Sequence, residues 1–115
     1  MIKTLKITVL SENSSENPEL GTEHGLSLYI EAAEEKILFD TGASDLFKKN
    51  AKKLGVDLRK TKKVILSHGH YDHTEGLKHL KKKTVIMHEQ LVYPKYKYQD
   101  NNYQYIGYEY LEAAE

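Results

Sequence analysis

The chain has 115 residues, enough for one ordinary domain and too few for two. It has no cysteine, which excludes disulfides and thiolate-bound metals, and its formal net charge is zero. Hydrophobic residues make up 39% and charged residues 30%, with no apolar run long enough to span a bilayer, so a soluble class is expected. Met1-Ile2-Lys3-Thr4 leads into an alternating strand instead of a signal sequence, and the expected compartment is the cytoplasm.

In chain order, alternation predicts a strand over 3–10, and Ser11 to Pro18 opens a polar, mobile loop over 11–22. Strands are predicted near 25–32 and 35–39, with Glu34-Glu35 as the hairpin turn. A helix is predicted over 44–54, with Ser44 as N-cap and Gly55 as stop. A strand over 63–67, a helix over 74–82 and a strand over 84–88 complete an α/β pattern with metal-ligand types at the strand ends. No internal repeat or interdomain linker interrupts it.

The most specific segment is Ser67-His68-Gly69-His70-Tyr71-Asp72-His73-Thr74, directly after the apolar run Val64-Ile65-Leu66. His68, His70, Asp72 and His73 put four potential ligands into six positions. Imidazole nitrogen and carboxylate oxygen suit a borderline divalent ion such as zinc. On an extended segment residues two apart point the same way, so His68 and His70 can converge on one ion, and Gly69 adds no bulk between them. Asp72 and His73, beyond the turn, lie close enough to face a second ion.

His-Gly-His-Tyr-Asp-His resembles the His-x-His-x-Asp-His motif of the metallo-β-lactamase fold superfamily. Ile37-Leu38-Phe39-Asp40-Thr41-Gly42 resembles the superfamily's strand ending in Asp-Thr-Gly, and His24-Gly25-Leu26-Ser27 the approach to the strand before it. With Leu54-Gly55-Val56-Asp57, these segments are most similar to the branch of 7,8-dihydropterin-6-yl-methyl-4-(β-D-ribofuranosyl)aminobenzene 5′-phosphate synthase-like hydrolases. The resemblance implies that His68 and His70 bind a first zinc ion and that Asp72 and His73 bind a second, with Asp72 also acting in catalysis. Asp40 would sit behind a ligand imidazole and accept its proton, fixing tautomer and orientation. In iron-binding members a Glu replaces the second His, so His70 argues for zinc-type chemistry. His24 and His88 are implied as substrate-side residues, and the substrate as a small phosphorylated or pterin-like molecule.

Superfamily members carry a third His for the first site, a bridging Asp and a final His, all C-terminal to the opening motif. Only His79 and His88 come after it here, and His79 reads as a helix-surface residue paired with Glu75. The resemblance therefore implies that residues 1–115 form a single partial domain. It would be the N-terminal half of an αββα sandwich, a mixed sheet with helices on one face, whose C-terminal half is absent: a truncated piece, a fragment of an interrupted gene, or a subunit completed by a complementing chain or by a homo-oligomer.

Residues 41–83 carry twelve bases against four acids, a balance that reads as solvated helix faces more than as a nucleic-acid surface. Lys81-Lys82-Lys83 is expected to close the second helix. Seven of nine tyrosines, Tyr93 to Tyr110, cluster near the C-terminus. Their spacing of two around Gln99-Asp100-Asn101-Asn102 predicts a β-hairpin with an aromatic face, able to pack across strands or to stack on a substrate ring. Three function classes are compatible with these features: a metal-dependent hydrolase or transferase of which this is a weakly active portion, a non-catalytic metal-binding or partner-binding module, and a nucleic-acid phosphodiesterase.

Overall fold

The structure is a computed structural model that describes residues 4–108. Alternation of apolar and polar residues in the first third builds an antiparallel meander of β1 (Leu5–Ser11), β2 (Ser27–Ala32) and β3 (Glu35–Phe39). After β3 the chain crosses through α1 (Leu46–Leu54) to β4 (Lys63–Ile65), then through α2 (Tyr71–Thr74) and a 3₁₀ segment, Glu75–His79, to β5 (Thr84–Ile86). These crossovers make β3–β4 and β4–β5 parallel, giving one mixed five-stranded sheet in the order β1-β2-β3-β4-β5. A second sheet is two-stranded, β6 (Tyr96–Gln99) with β7 (Asn102–Tyr105).

One face of the large sheet makes the core. Leu10, Tyr29, Leu38 and Val64 come from four neighbouring strands and are buried with Phe47 and Ala51 of α1 and Leu77 of the 3₁₀ segment. Burying each large side chain of this kind contributes roughly 1.5–3 kcal/mol before entropy is charged against it. The strand register places Leu5, Ile7 and Val9 on the opposite face, beside Leu28, Ile30, Ile37, Phe39, Ile65 and Ile86. That face has little cover: Leu5 is 60% exposed, Ile7 51% and Ile86 47%. Val9, Leu28, Phe39, Ile65 and Ile86 form an apolar row across all five strands of that face. The expected mixed sheet with helices on one face is therefore present. Among the described residues no helix is long and apolar enough to cross a membrane.

Several local expectations change. The first hairpin turns at Ala33-Glu34, one residue early, because Ala33 takes the positive φ (56°) that a two-residue turn demands. Asp45, not Ser44, occupies the N-cap of α1. The Ser44 hydroxyl still accepts the Leu46 N–H, and Gly55 ends the helix in the left-handed conformation.

The second helix begins at Tyr71 instead of 74 and tightens to 3₁₀ after Thr74. Its chain is pressed onto the Asp40-Thr41-Gly42 turn, where a Cβ on Gly76 would stand 2.0 Å from the Thr41 carbonyl oxygen. Glu75 pairs with Lys78 at 3.7 Å. Lys83 does not oppose a helix dipole: its ammonium donates to the Leu58 and Thr61 carbonyls. The strands predicted over 63–67 and 84–88 stop at Ile65 and Ile86.

Candidate metal centre

The histidine loop leaves the end of β4, crosses the sheet edge and enters α2, so that His68 is in the loop, His70 is the N-cap and Asp72 and His73 lie in the helical turn. Gly69 is required by contact: a Cβ there would stand 2.0 Å from the Leu91 carbonyl oxygen. The three imidazole rings lie side by side, while the three-donor group within 4.8 Å among the described residues is Asp40, His68 and His73, without His70 or Asp72. His68 and His70 have ring centroids 4.6 Å apart, and His68 and His73 4.1 Å. Asp72 joins them, its Oδ2 lying 3.5 Å from His73 Nε2. Two donors held at ~2.0–2.2 Å by one tetrahedral ion lie roughly 3.3–3.6 Å apart, so this pair already has ligand spacing.

The back of the cluster is organised by Asp40, which is fully buried and takes a positive φ of 58°. A non-glycine residue in that region is strained and persists only where its surroundings insist on it. Here they do. The Asp40 N–H donates to the Ile65 carbonyl, and the next residue, Thr41, donates both its N–H and its hydroxyl to the His73 carbonyl.

The Asp40 carboxylate accepts three hydrogen bonds: the Ser67 N–H at 2.7 Å on Oδ1, and the Ser67 hydroxyl at 2.6 Å and His73 Nδ1 at 2.7 Å on Oδ2. Proton bookkeeping then assigns the tautomers. Ser67 has one hydroxyl proton and gives it to Asp40, so its oxygen accepts from His68 Nδ1, 2.8 Å away. Both His68 and His73 therefore carry their proton on Nδ1 and keep the Nε2 lone pair free. Asp40, His68 and His73 form a group whose donor atoms all fall within 4.8 Å of one another. Asp40 nevertheless reads as the orienting group, because its oxygens are occupied from behind the His73 ring.

The same contacts separate the two imidazoles electrostatically. The hydrogen bond to Asp40 raises the His73 pKa above 6.5 against the opposing effect of burial. Burial, and after it the charges of His73 and His70, lowers that of His68 below 6.5.

On the open side, His24 Nε2 lies 3.1 Å from Asp72 Oδ2, so His24 does reach the cluster. Gly25 permits this approach, since a Cβ there would stand 2.8 Å from the Asp72 carbonyl oxygen. His24, His70, Tyr71 and Asp72 line a pocket of about 160 Å³, closed on its far side by Lys97 and Gln104.

His88 does not join them. Its Nδ1 accepts the Gln90 N–H and caps the 3₁₀ segment Glu89–Val92, and among the described residues it has no contact with the other histidines. The tyrosine face takes the cross-strand packing of the two readings. Tyr96 packs on Tyr105 and Tyr98 on Tyr103, at 5.4 and 5.0 Å, on the hairpin face opposite Lys97 and Gln104. Tyr110 lies outside the described residues. Sequence reasoning missed Ser67 and Lys97; a hydroxyl directly before the motif was the signal for the first, and none existed for the second.

A mixed sheet that delivers His-x-His-x-Asp-His into a helix, backed by the Asp of an Asp-Thr-Gly turn, defines a class. The chain belongs to the metallo-beta-lactamase superfamily, whose family model matches residues 20–112. It is 35% identical over 82 residues to the 7,8-dihydropterin-6-methyl-4-(beta-D-ribofuranosyl)-aminobenzene-5'-phosphate synthase of Methanocaldococcus jannaschii, covering 66% of this chain and 28% of that protein. It is 34% identical over 74 residues to protein MJ0448 of the same organism, covering 64% of this chain and 28% of that protein. Among solved structures it is similar to Tm1679, a metal-dependent hydrolase of the beta-lactamase superfamily. There the TM-score is 0.78 and the identity 39%, over 96% of this chain and 39% of that one. The chain thus spans less than a third of the length of these curated relatives. The superfamily is one of metal-dependent enzymes, and Asp40, His68 and His73 of this chain form a candidate metal-binding group in keeping with it.

Proposed function

We propose that the chain is the metal-binding portion of a hydrolase or transferase, with His68 and His70 holding one zinc ion and Asp72 and His73 a second. The observation that carries this reading is the convergence of three imidazoles and a carboxylate, with the proton of two of the rings directed to Nδ1 by the Asp40–Ser67 pair. When bound, such ions supply Lewis acidity, making water a usable nucleophile near neutral pH and drawing charge from the bond under attack or from a departing phosphate. The chain's own residues do the rest. Asp40 keeps the His73 Nδ1 proton in place, Ser67 does the same for His68, and His24 stands at the open side of Asp72, able to hold a proton there. The likeness to the synthase supports a small phosphorylated or pterin-like substrate.

The bare aliphatic face supports a second part of the proposal. Leu5, Ile7, Val9 and Ile86 are to be covered by further β structure of the same superfamily fold, which also brings the remaining ligands. The chain alone should then bind zinc more weakly than a complete site and turn over little. A nucleic-acid surface has less support, because Lys48, Lys53 and Lys83 donate to backbone carbonyls and Arg59 pairs with Asp57.

Zinc calorimetry on the full chain and on His68→Ala and His73→Ala tests the reading. Binding that falls at least ten-fold in each variant supports it; equal zinc binding in all three overturns it.

A further inference from the structure

The two lysines at the start of the hairpin have different fates. Lys95 spends its ammonium on three carbonyls, those of Gln90, Leu91 and Tyr93, at 3.0–3.2 Å, and so ties down the preceding 3₁₀ segment. Lys97, two residues on, has no ion pair or hydrogen bond from its side chain to any described residue, yet it lines the pocket above the histidine cluster.

Its place there is built in. The pairing Lys97↔Gln104 puts these two side chains on one face of β6–β7 and the tyrosines on the other. The hairpin is then fastened to the histidine loop by the Tyr71 N–H donating to the Ile106 carbonyl at 2.8 Å. The Ile106 N–H donates in turn to the Lys95 carbonyl at 2.9 Å. The hairpin thus contributes to one pocket, with His24, His70 and Asp72, a cation without a partner among the described residues and an amide.

Resting on the metal reading above, the geometry points to Lys97 and Gln104 as an anion subsite that seats the phosphate or carboxylate group of a small substrate beside the histidine cluster. The size agrees. About 160 Å³ is below the ~300 Å³ at which ligand pockets usually begin, so this space takes one charged group and not a whole substrate. The chemistry agrees as well: an ammonium gives charge attraction without fixed geometry, and the Gln104 amide N–H adds a directional donor. An unpaired lysine at a pocket mouth also draws anionic ligands in.

The test is an amide NMR titration of the full chain with phenyl phosphate, benzoate and benzyl alcohol, with zinc present and again with chelator, on wild type, Lys97→Ala and Lys97→Arg. The expected result is that both anions, but not the alcohol, shift Lys97, Gln104 and Tyr71. Lys97→Ala should weaken anion binding about ten-fold with or without zinc, and Lys97→Arg should restore most of it. Phenyl phosphate alone acting would assign the subsite to phosphate, and benzoate alone to carboxylate. Anion affinity unchanged in Lys97→Ala, or shifts confined to residues 68–73, would overturn the inference. Zinc calorimetry on Lys97→Ala keeps the two readings apart. Normal zinc binding with lost anion binding supports the subsite, whereas a wild type that binds anions but no zinc sinks only the metal reading.

Discussion

The two sides of the histidine cluster are built on opposite principles. Behind the rings, Asp40 is buried and its carboxylate takes three short hydrogen bonds from Ser67 and His73. In front, the His24 side chain is 67% exposed, and neither the His70 ring nor the Lys97 ammonium has a hydrogen-bond partner among the described residues. The difference teaches where rigidity is needed. Under the proposed metal reading, the orientation of a ligand ring comes from the buried side, while Lys97 and His70 on the open side keep unspent donors and lone pairs.

The largest effect should come from breaking the inner side. Asp40→Ala removes the acceptor for three donors and leaves the Ser67 N–H and the His73 ring facing a void, so it should cost about 3 kcal/mol in chemical denaturation. Asp40→Asn keeps the shape but turns one oxygen into a donor. It should spare most of the stability and still lower zinc affinity 10- to 100-fold in calorimetry. If Asp40→Asn bound zinc as wild type does, the inner side would be packing and nothing more.

A smaller effect, on pH, sharpens the same contrast. With chelator present, ring titrations by NMR should find His73 above 6.5 and His68 below it. The raised His73 value means that its pairing with Asp40 stabilises the fold fully below pH ~6.5, and that this contribution is lost as pH rises through the folded value. The lowered His68 value has the opposite sense: the stability it confers is present above pH ~6.5 and is lost as pH falls through its folded value. Asp40→Asn should bring the His73 titration back toward 6.5. Two rings titrating together in wild type would mean that the Asp40 bond does not persist in solution.

Much of this arrangement was legible in the residues. The spacing of His68, His70, Asp72 and His73 pointed to the cluster, and the resemblance of the Asp40-Thr41-Gly42 turn to the superfamily's pointed to its support. The tertiary part could not be read. Ser67 meets Asp40 across 27 positions of sequence, and its place directly before the motif does not say which residue it meets. The tyrosine spacing identified the hairpin but not which face turns to the pocket. That choice is made by the Tyr71–Ile106 backbone bond, which lays Lys97 and Gln104 inward. Helix α2 was misplaced for a related reason: Thr74 resembles an N-cap, but its hydroxyl donates to the His70 carbonyl, and the close packing of Gly76 on Thr41 tightens the next turn to 3₁₀. His88 is placed apart from the cluster, its Nδ1 capping the 3₁₀ segment Glu89–Val92.

The most direct measurement is X-ray absorption at the zinc edge of the zinc-loaded full chain. The expected spectrum has nitrogen and oxygen scatterers near ~2.0–2.1 Å with imidazole outer-shell scattering from at least two rings, reduced by about one ring in His73→Ala. A first shell of water or carboxylate oxygen alone, unchanged by His73→Ala, would contradict a histidine-built metal centre.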